Sequence, residues 1–325
     1  MFRHKPTAAE LGKLAKVSQS TVSLVLTGKW KGRVSKATAD RVLTVAQKIG
    51  YRPNPAAQSL RLGGSKTILF LIPVLSNPFF ARVYGAIAEV AKDNNLTILV
   101  YPMQTADDGY PLKRVIMDVD AIIACSLDSQ NIQPMGNLIP TVFIDCNPQS
   151  AQYTVNADIY NGTTKAIKKL TNSGFKIIYH FACIHSKWTF NQRMTAVDNS
   201  CTDNIELHRL SMIPSVEEAY RNAEWLLKKT TDKIGFFCDN DIIAEGVQLA
   251  AFSLNKSIPS EVSIIGMDDK PDNHFSSKGL SSVKIDAEML GTIAMQNLLE
   301  LMEGKTPKSV IIPTQLVERS TTVNY

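Results

Sequence analysis

The chain has 325 residues, 44% of them hydrophobic, and a formal net charge of +5. Its length is too great for one core and predicts two or three lobes. It has no apolar run long enough to cross a membrane, and no hydrophobic stretch follows its charged N-terminus. We therefore expect neither a membrane protein nor an exported one. The five cysteines are widely spaced without a CxxC pair, which favours small buried residues in a reducing cytoplasm over a metal site.

The charge is distributed unevenly along the chain. Residues 1–62 contain twelve lysines or arginines against two acids, Glu10 and Asp40, and so carry +10, whereas the remainder has 23 basic and 28 acidic residues. A compact basic segment that neutralises phosphates releases counterions, which is typical of a DNA-binding module. Charge alone leaves ribosomal and membrane-surface partners open.

The basic segment opens with a predicted helix. Thr7 and Glu10 have the spacing of a capping box, in which the hydroxyl accepts from an amide three residues on and the glutamate reaches back. Leu11, Leu14 and Ala15 then form one apolar face. A capping box is common in helices that never contact DNA, so this motif alone is weak support for a DNA-binding segment.

Two further helices follow. Ser18 is placed to cap a helix over Gln19–Leu26, and a third is predicted from Ser35 to Ile49, where Gly50 ends it. Two short helices joined by a tight turn, the second presenting small polar side chains, are typical of a helix-turn-helix. Four side chains of the second helix are predicted to face outward: Gln19, Ser20, Ser23 and Leu24.

Four sequence blocks connect this segment with a known family. In order they are AKVSQSTVS at 15–23, RVS at 33–35, GYRPN at 50–54 and AQSL at 57–60. Their order and spacing over about sixty residues resemble the lactose-repressor (LacI/GalR) family of bacterial transcription regulators. The resemblance implies that Ser18 and Thr21 contact phosphates while Gln19, Ser20 and Leu24 face base edges. A leucine can touch a thymine methyl but cannot form the bidentate contact to guanine.

The loop after the second helix adds cationic side chains. Lys29, Lys31 and Arg33 are predicted to contact the DNA backbone; the alternative is a solvated turn with Trp30 lying across the helices. The full set of predicted DNA-binding residues is Thr7, Ser18, Gln19, Ser20, Thr21, Ser23, Leu24, Lys29, Lys31, Arg33, Tyr51, Asn54, Ala57, Gln58, Leu60 and Arg61.

A hinge is expected between this segment and the rest. Pro53 and Pro55 stop any helix, and 56–61 is too short to be a stable helix without a partner surface. In the resembling family two hinge helices enter the minor groove together and a leucine wedges into the central base step, the place that Leu60 occupies here. The alternative is a plain linker.

From Lys66 onward, strand-like and helical stretches alternate, which predicts parallel sheets covered on both faces. The apolar runs are Thr67–Val74, Leu96–Met103, Ala121–Cys125, Thr141–Asp145, Lys176–Cys183, Lys233–Cys238 and Val262–Met267. The helical stretches include Phe79–Asp93, Tyr160–Ser173, Val216–Lys229 and Asp241–Leu254. We expect two similar lobes around a cleft, with Asp145–Asp158 as the crossover between them.

Ligands in open α/β sheets bind beyond the carboxyl ends of the strands. Aromatic and carboxylate residues follow several of the apolar runs, as a polyhydroxylated ring requires. This part also resembles the periplasmic sugar-binding proteins. On that resemblance the effector-binding residues are Asn77, Phe79, Phe80, Asp145, Lys187, Thr189, Asn191, Arg193, Asn240 and Asp268. Phe79 is equally compatible with core packing, and Asp241 is better explained as a helix cap.

Some positions depart from the family pattern. Cys146 and Ile285 are less polar than the residues that sugar binders usually have there, and 104–119 and 199–207 look short. These departures extend the effector candidates to a smaller ring, a cyclic polyol such as inositol, or a nucleoside, and leave open that no small effector exists.

The predicted fold class is α/β: a three-helix helix-turn-helix head and hinge helix, then two doubly wound parallel-sheet lobes of the periplasmic-binding-protein type I. We expect the head at 1–50, the hinge at 51–65 and the effector-binding and dimerisation domain at 66–325. Its first lobe would take in about 66–158 and 287–314, and its second lobe about 159–286 and 315–325.

The predicted function is that of a cytoplasmic transcriptional regulator, and the family resemblance implies that it is a repressor. A homodimer would bind a pseudo-palindromic double-stranded DNA operator, with half-sites about one helical turn apart. A sugar, polyol such as inositol or ribose, or nucleoside would control it. No cofactor, metal or membrane partner is expected, and the final residues contain no heptads for a tetramerising coiled coil.

Three other classes of function compete with this one. The first is a DNA-binding regulator controlled by a partner protein docking on the body. The second is an exported solute-binding protein, which the basic head and missing signal peptide disfavour. The third is an enzyme, which we do not expect, because the sequence has no glycine-rich phosphate loop, GxSxG elbow or metal-spaced histidines.

Overall fold

A computed structural model of the chain describes residues 6–52, 64–103, 112, 115–127, 132, 139–184, 187–274 and 279–323. The chain divides into two compact units, Met1–Ser65 and Lys66–Tyr325, called here the head and the body. Within the described ranges, no helix has the length and apolar character that a membrane span requires.

Over residues 6–52, the head contains three helices, α1 (Ala8–Ala15), α2 (Gln19–Leu26) and α3 (Lys36–Ile49). The predicted capping box at α1 is confirmed: Thr7 Oγ1 accepts from the Glu10 amide at 3.2 Å, and Glu10 Oε2 accepts from the Thr7 amide at 2.7 Å. Ser18 caps α2 as predicted, and Ser35, the predicted start of the third helix, is the N-cap of α3. Gly50 ends α3 with a φ of 66°, a left-handed conformation that glycine adopts without strain.

A small core holds the three helices together. It consists of Leu11, Ala15, Val22, Val25, Ala39, Val42 and Ala46. Trp30 is half-buried and packs against this core, which supports its structural interpretation. The prediction that Leu14 shares the apolar face of α1 is wrong, since Leu14 is 59% exposed. The partner helices cover only the narrow line through Leu11 and Ala15, one turn apart on this two-turn helix.

The described part of the body contains twelve strands and six further α-helices. The strands are β1 (Thr67–Ile72), β2 (Thr97–Pro102), β3 (Ala121–Cys125), β4 (Thr141–Ile144), β5 (Thr154–Ala157), β6 (Ile177–Cys183), β7 (Glu206–Met212), β8 (Ile234–Cys238), β9 (Val262–Asp268), β10 (Ser281–Lys284), β11 (Val310–Ile312) and β12 (Gln315–Val317). The helices are α4 (Pro78–Asp93), α5 (Ile159–Asn172), α6 (Trp188–Ser200), α7 (Val216–Leu227), α8 (Asp241–Ser253) and α9 (Ala287–Met302).

The strands form two six-stranded sheets. The order is β11-β5-β4-β3-β1-β2 in the first sheet and β12-β10-β9-β8-β6-β7 in the second. All neighbouring strands are parallel except β10 and β12. The central strands β3, β4 and β8 are buried at every position, as expected for parallel strands with helices on both faces. We call the two sheets with their helices the first and second lobes.

The chain passes between the lobes three times: after β5, after β10 and after β11. The prediction that all of Asp145–Asp158 is a crossover is wrong, because Thr154–Ala157 form the strand β5 between β4 and β11. This strand has only four residues, and Thr154 and Asn156 give it no apolar run, although every one of its positions is buried.

Four of the five cysteines are buried and Cys201 is half-buried; all are free thiols. Desolvation raises the pKa of the Cys125 and Cys238 thiols, so both remain protonated and behave as small apolar residues. The described residues contain no group of three or more His, Cys, Asp or Glu side chains placed to hold a metal ion.

Candidate functional site

A cavity of about 440 Å³ lies between the two lobes at the carboxyl ends of their strands. The first lobe lines it with residues that follow β1, β3 and β4, and the second lobe with the beginnings of α6 and α8 and the end of β9. This is the position at which open parallel sheets bind ligands.

Nine of the ten predicted effector-binding residues line this cavity: Asn77, Phe79, Phe80, Asp145, Lys187, Thr189, Arg193, Asn240 and Asp268. Asn191 is exposed and does not line it, so the structure does not support this residue as a contact. The reason is the helical period, which places Thr189 and Arg193 on one face of α6 and turns Asn191 away. Sequence reasoning missed Ser126, Phe190, Ile213 and Ile242, which also line the cavity.

Aromatic rings form the apolar part of the cavity wall. Phe79 and Phe80 meet edge to face, with ring centroids 5.4 Å apart, and both are at least 92% buried. Phe79 thus contributes to the core and to the cavity at the same time. Ile285 is buried and lines the cavity. Cys146 does not line it and packs instead in an apolar cluster of the first lobe. The inference of a less polar cavity is therefore wrong for Cys146 but holds for Ile285.

Two carboxylates face the cavity from opposite lobes, and both have strained backbones. Asp145 has a φ of 56° and Asp268 a φ of 103°, values that residues other than glycine rarely adopt. Ser126, at the end of β3, has a φ of 53° and donates its hydroxyl to Asp145 Oδ2 at 2.6 Å. Such strain persists only where the surrounding structure enforces it, and it is concentrated at functional sites.

Asp268 differs in its electrostatics from an ordinary exposed carboxylate. Burial raises the pKa of Asp268 to about 8; Arg193 and Arg82 oppose the shift, and the nearby Asp241 and Asp145 carboxylates add to it. Asp268 is therefore largely protonated at neutral pH and can donate a hydrogen bond as well as accept one.

The prediction that Asp241 caps α8 is wrong. Asn240 is the N-cap, with its Oδ1 accepting from the Ile243 amide at 3.0 Å. Asp241 is instead a buried hydrogen-bond centre that accepts from Ser282 Oγ at 2.7 Å and from the Lys270 amide and Asn273 Nδ2, each at 2.8 Å. Burial raises its pKa to about 6. It joins α8 to β10 and to the loop after β9.

Arg193 is held from behind by a buried polar network. Its Nη1 donates to the Asp239 carbonyl, and the Asp239 carboxylate pairs with His180 Nε2 at 2.9 Å. Arg209 Nε donates to His180 Nδ1 at 3.0 Å, so the neutral His180 ring carries its proton on Nε2. The Cys183 amide donates to the other Asp239 oxygen at 2.7 Å. The network fixes the guanidinium at the cavity wall.

Not every polar atom at the cavity is satisfied. Within the described part of the chain, Thr189 Oγ1 and Arg193 Nε are buried and have no hydrogen-bond partner. Native structures leave few such atoms, and each calls for an explanation. Both lie on the side of α6 that lines the cavity, where a ligand can satisfy them.

In the head, Gln19 and Ser20 are exposed at the start of α2, and Ser23 and Leu24 are half-buried further along. The Ser18 hydroxyl caps α2, and Thr21 Oγ1 lies 2.9 Å from it. Lys29, Lys31 and Arg33 are exposed and form no ion pair with any described residue. Thr7 caps α1, and the Tyr51 ring packs on the core of the head. The remaining predicted DNA contacts lie outside the described residues: Asn54, Ala57, Gln58, Leu60 and Arg61.

Two family profiles match the chain. Residues 9–54 match the bacterial regulatory proteins of the lacI family, and residues 167–322 match the periplasmic binding protein-like domain. The head is thus a helix-turn-helix DNA-binding domain of the lacI type, and the body contains a periplasmic binding protein-like domain, as the resemblance predicted. This pair of domains is that of a transcription regulator.

Curated relatives cover nearly the whole chain. The ribose operon repressor of Halalkalibacterium halodurans is 28% identical over 330 residues, which span 97% of this chain and 97% of the relative. The HTH-type transcriptional repressor PurR of Haemophilus influenzae is 26% identical over 317 residues, 92% of each chain. Both are named as repressors, not as enzymes.

Solved structures share the fold at low sequence identity. The lac repressor dimer bound to operator and the anti-inducer ONPF is 22% identical with a TM-score of 0.78; the match covers 99% of this chain and all of that one. A lacI-family regulator from Silicibacter pomeroyi is 20% identical with a TM-score of 0.81, over 97% and 99% of the two chains. These matches confirm the predicted fold class.

Proposed function

We propose that this protein is a homodimeric repressor whose affinity for its operator is controlled by a small molecule bound in the cavity between the lobes. The ligand class is a sugar such as ribose, a polyol such as inositol, or a nucleoside. The observation that carries the proposal is the construction of the cavity. It combines aromatic walls with two opposed aspartates and two buried polar atoms that have no partner among the described residues.

The size and lining of the cavity suit such a ligand. Its volume of about 440 Å³ falls within the range of small-molecule sites, which are mostly apolar with a few well-placed polar groups. Phe79, Phe80 and Phe190 supply the apolar ring surface against which C–H groups of such a ligand would pack. Asp145 accepts from hydroxyl groups, and Asp268 can accept or donate because it is protonated at neutral pH.

The relatives support the ligand class. One is named a ribose operon repressor, and one solved structure with a TM-score of 0.70 contains D-xylulofuranose. Another, with a TM-score of 0.72, is a complex of the regulator CelR with cellobiose. We carry the shared chemistry, a hydroxylated ring, over to this chain as part of the proposal.

For DNA recognition we propose that two heads bind half-sites of a pseudo-palindrome. Gln19, Ser20 and Leu24 would face base edges, and Lys29 and Lys31 phosphates. Leu60 would wedge into the central base step from a hinge helix, a contact that costs unstacking energy and is offset by the bent duplex.

For control we propose that the ligand favours one relative orientation of the lobes. The ligand can shift operator affinity only by its preference for that orientation, typically about 1–3 kcal/mol or about 5- to 150-fold. Asp145 and Asp268 lie on opposite lobes, so a ligand that bridges them favours the closed cleft.

The experiment begins with recovery of bound genomic fragments, which identifies the operator and the neighbouring genes. Operator affinity is then measured with sugars, polyols and nucleosides for the wild type, Asp145→Ala and the control Asp203→Ala. Asp203 is exposed and outside the cavity. We expect Asp145→Ala alone to abolish the ligand response while operator affinity stays within about twofold, because Asp145 lines the cavity of the body whereas the proposed DNA contacts are made by the head and hinge.

Two outcomes would contradict the proposal. If no compound changes operator affinity or thermal stability, control by a partner protein takes its place. If Asp145→Ala destroys operator binding itself, Asp145 has a structural role. The wedge is tested separately: Leu60→Ala should weaken operator binding more than non-specific binding, and an equal loss argues against it.

A further inference from the structure

The N-terminus of α6 opens onto the cavity without a cap. Lys187 occupies the N-cap position, and its side chain forms no capping hydrogen bond. Lys187, Thr189 and Arg193, at the N-cap and in the first two turns, all line the cavity. The first amides of a helix have no acceptor within the helix and carry a partial positive charge, so such an end attracts anions. At 13 residues, α6 is long enough for this effect.

A second observation points to a ligand at the same place. Thr189 is only 3% exposed and Arg193 only 5%, yet Thr189 Oγ1 and Arg193 Nε have no hydrogen-bond partner in the described structure. The guanidinium Nε can only donate, and the hydroxyl can donate as well. Both atoms therefore call for an acceptor that enters from the cavity.

The charges around this end of the cavity favour an acceptor that is an anion. Among the described residues, Lys187 and Arg193 form no ion pair with a carboxylate. The Asp239 carboxylate attracts Arg193. Burial raises the pKa of Asp268 to about 8, so this carboxyl does not compensate the charge of Lys187 at neutral pH. Asp145, the remaining cavity carboxylate, lies on the other lobe and accepts from Ser126.

We propose that the effector carries an oxyanion, a phosphate ester or a carboxylate, which binds at the N-terminus of α6 to Lys187, Thr189 Oγ1 and Arg193 Nε. The hydroxylated ring of the same molecule points towards Asp145. This inference rests on the proposed function and narrows the ligand from neutral sugars to acidic or phosphorylated ones.

Trp188 provides a reporter next to the proposed site. The chain has three tryptophans, so Trp30→Phe with Trp225→Phe leaves Trp188 alone in an otherwise full-length protein. Its fluorescence is titrated with inorganic phosphate, D-ribonate, D-ribose and D-ribose 5-phosphate. We expect a saturable response to phosphate and to D-ribonate, and tighter binding of D-ribose 5-phosphate than of D-ribose.

Three variants in the same background test the assignment. Lys187→Met should weaken phosphate binding by about tenfold or more, because a hydrogen bond to a charged group is lost. Thr189→Val, which keeps the side-chain shape, should weaken it about fivefold. Lys233→Met is the matched control: Lys233 is exposed at the opposite end of the second sheet, just before β8, and its loss should change nothing.

The inference is overturned if neither phosphate nor D-ribonate changes Trp188 emission, or if Lys187→Met and Lys233→Met bind phosphate equally. A protein that binds neutral D-ribose and releases its operator, but ignores both anions, would refute this inference and leave the proposed function standing. The D-ribonate and phosphate titrations together distinguish a carboxylate site from a phosphate site.

Discussion

Replacing Asp268 by asparagine should remove a pH dependence that the wild-type body carries. Burial raises the pKa of this carboxyl from 3.8 to about 8. Below about pH 4 the folded and unfolded states both hold the proton. As the pH rises, the unfolded chain releases it first while the folded chain keeps it to about pH 8. The folded state therefore binds more protons, and stability falls through this window.

The magnitude follows from the two pKa values. Between pH 6 and pH 8 the wild type should lose about 2 kcal/mol of unfolding free energy relative to Asp268→Asn. This is an upper figure, because solvent in the cleft screens the charge. The window also lies above the pKa of Asp241, which burial raises to about 6, so most of that carboxyl's own contribution falls at lower pH.

The assay is urea unfolding of the body at several pH values, followed by tryptophan fluorescence. Asp272→Asn serves as the control, because Asp272 is an exposed carboxyl only four residues further on. It should follow the wild-type curve. Parallel curves for the wild type and Asp268→Asn between pH 6 and pH 8 would refute the reasoning, since the cavity carboxyl would then be ionised at neutral pH.

Three further tests, with five substitutions, address the packing around the site and in the head. Gly266→Ala places a methyl group 2.2 Å from a buried carboxylate oxygen of α8 and should cost about 2–3 kcal/mol in urea unfolding. In Gly235→Ala, the atom nearest to the new methyl group is the terminal carbon of the flexible Ile178 side chain, at 2.8 Å. The loss of unfolding free energy should therefore be clearly smaller, and equal losses would contradict this account. Ser18→Ala and Ser35→Ala should each lower head stability by about 1 kcal/mol through loss of a cap, but only Ser18→Ala should also weaken operator binding in a titration at fixed salt. Asp239→Ala leaves two buried donors without an acceptor and should lower the unfolding free energy by about 2–4 kcal/mol; a loss below 1 kcal/mol would show that the buried network does not hold the second lobe together.

Local signals in the sequence were sufficient for the head. Thr7, Ser18 and Ser35 are caps, Gly50 is a terminator, and the bounds of α2 follow from them directly. These features act within one helical turn, so they are readable without knowledge of the fold. Leu14 shows the limit, because whether an apolar side chain is covered depends on how the neighbouring helices cross.

The buried central strands could also be predicted from the sequence, because each is a continuous apolar run. The short or polar strands were not predicted: β5 has the composition of a loop, β7, β10 and β12 lack an apolar run, and the apolar strand β11 has only three residues. Each of these is defined by pairing with a strand distant in the chain. Hydrogen bonds to distant strands stabilise such segments, and single-chain patterns do not report them.

The sequence by itself determined that the chain has a capped three-helix head with a basic charge and a body of parallel sheets, because these follow from local propensity, periodicity and composition. Only the tertiary structure decided which polar groups meet at the cavity. It turned Asn191 outward, made Asp241 a buried hydrogen-bond centre instead of a cap, and left Thr189 Oγ1 without a partner among the described residues. The physical reason is that burial, and with it the pKa and hydrogen-bonding state of each group, depends on contacts between segments far apart in the chain.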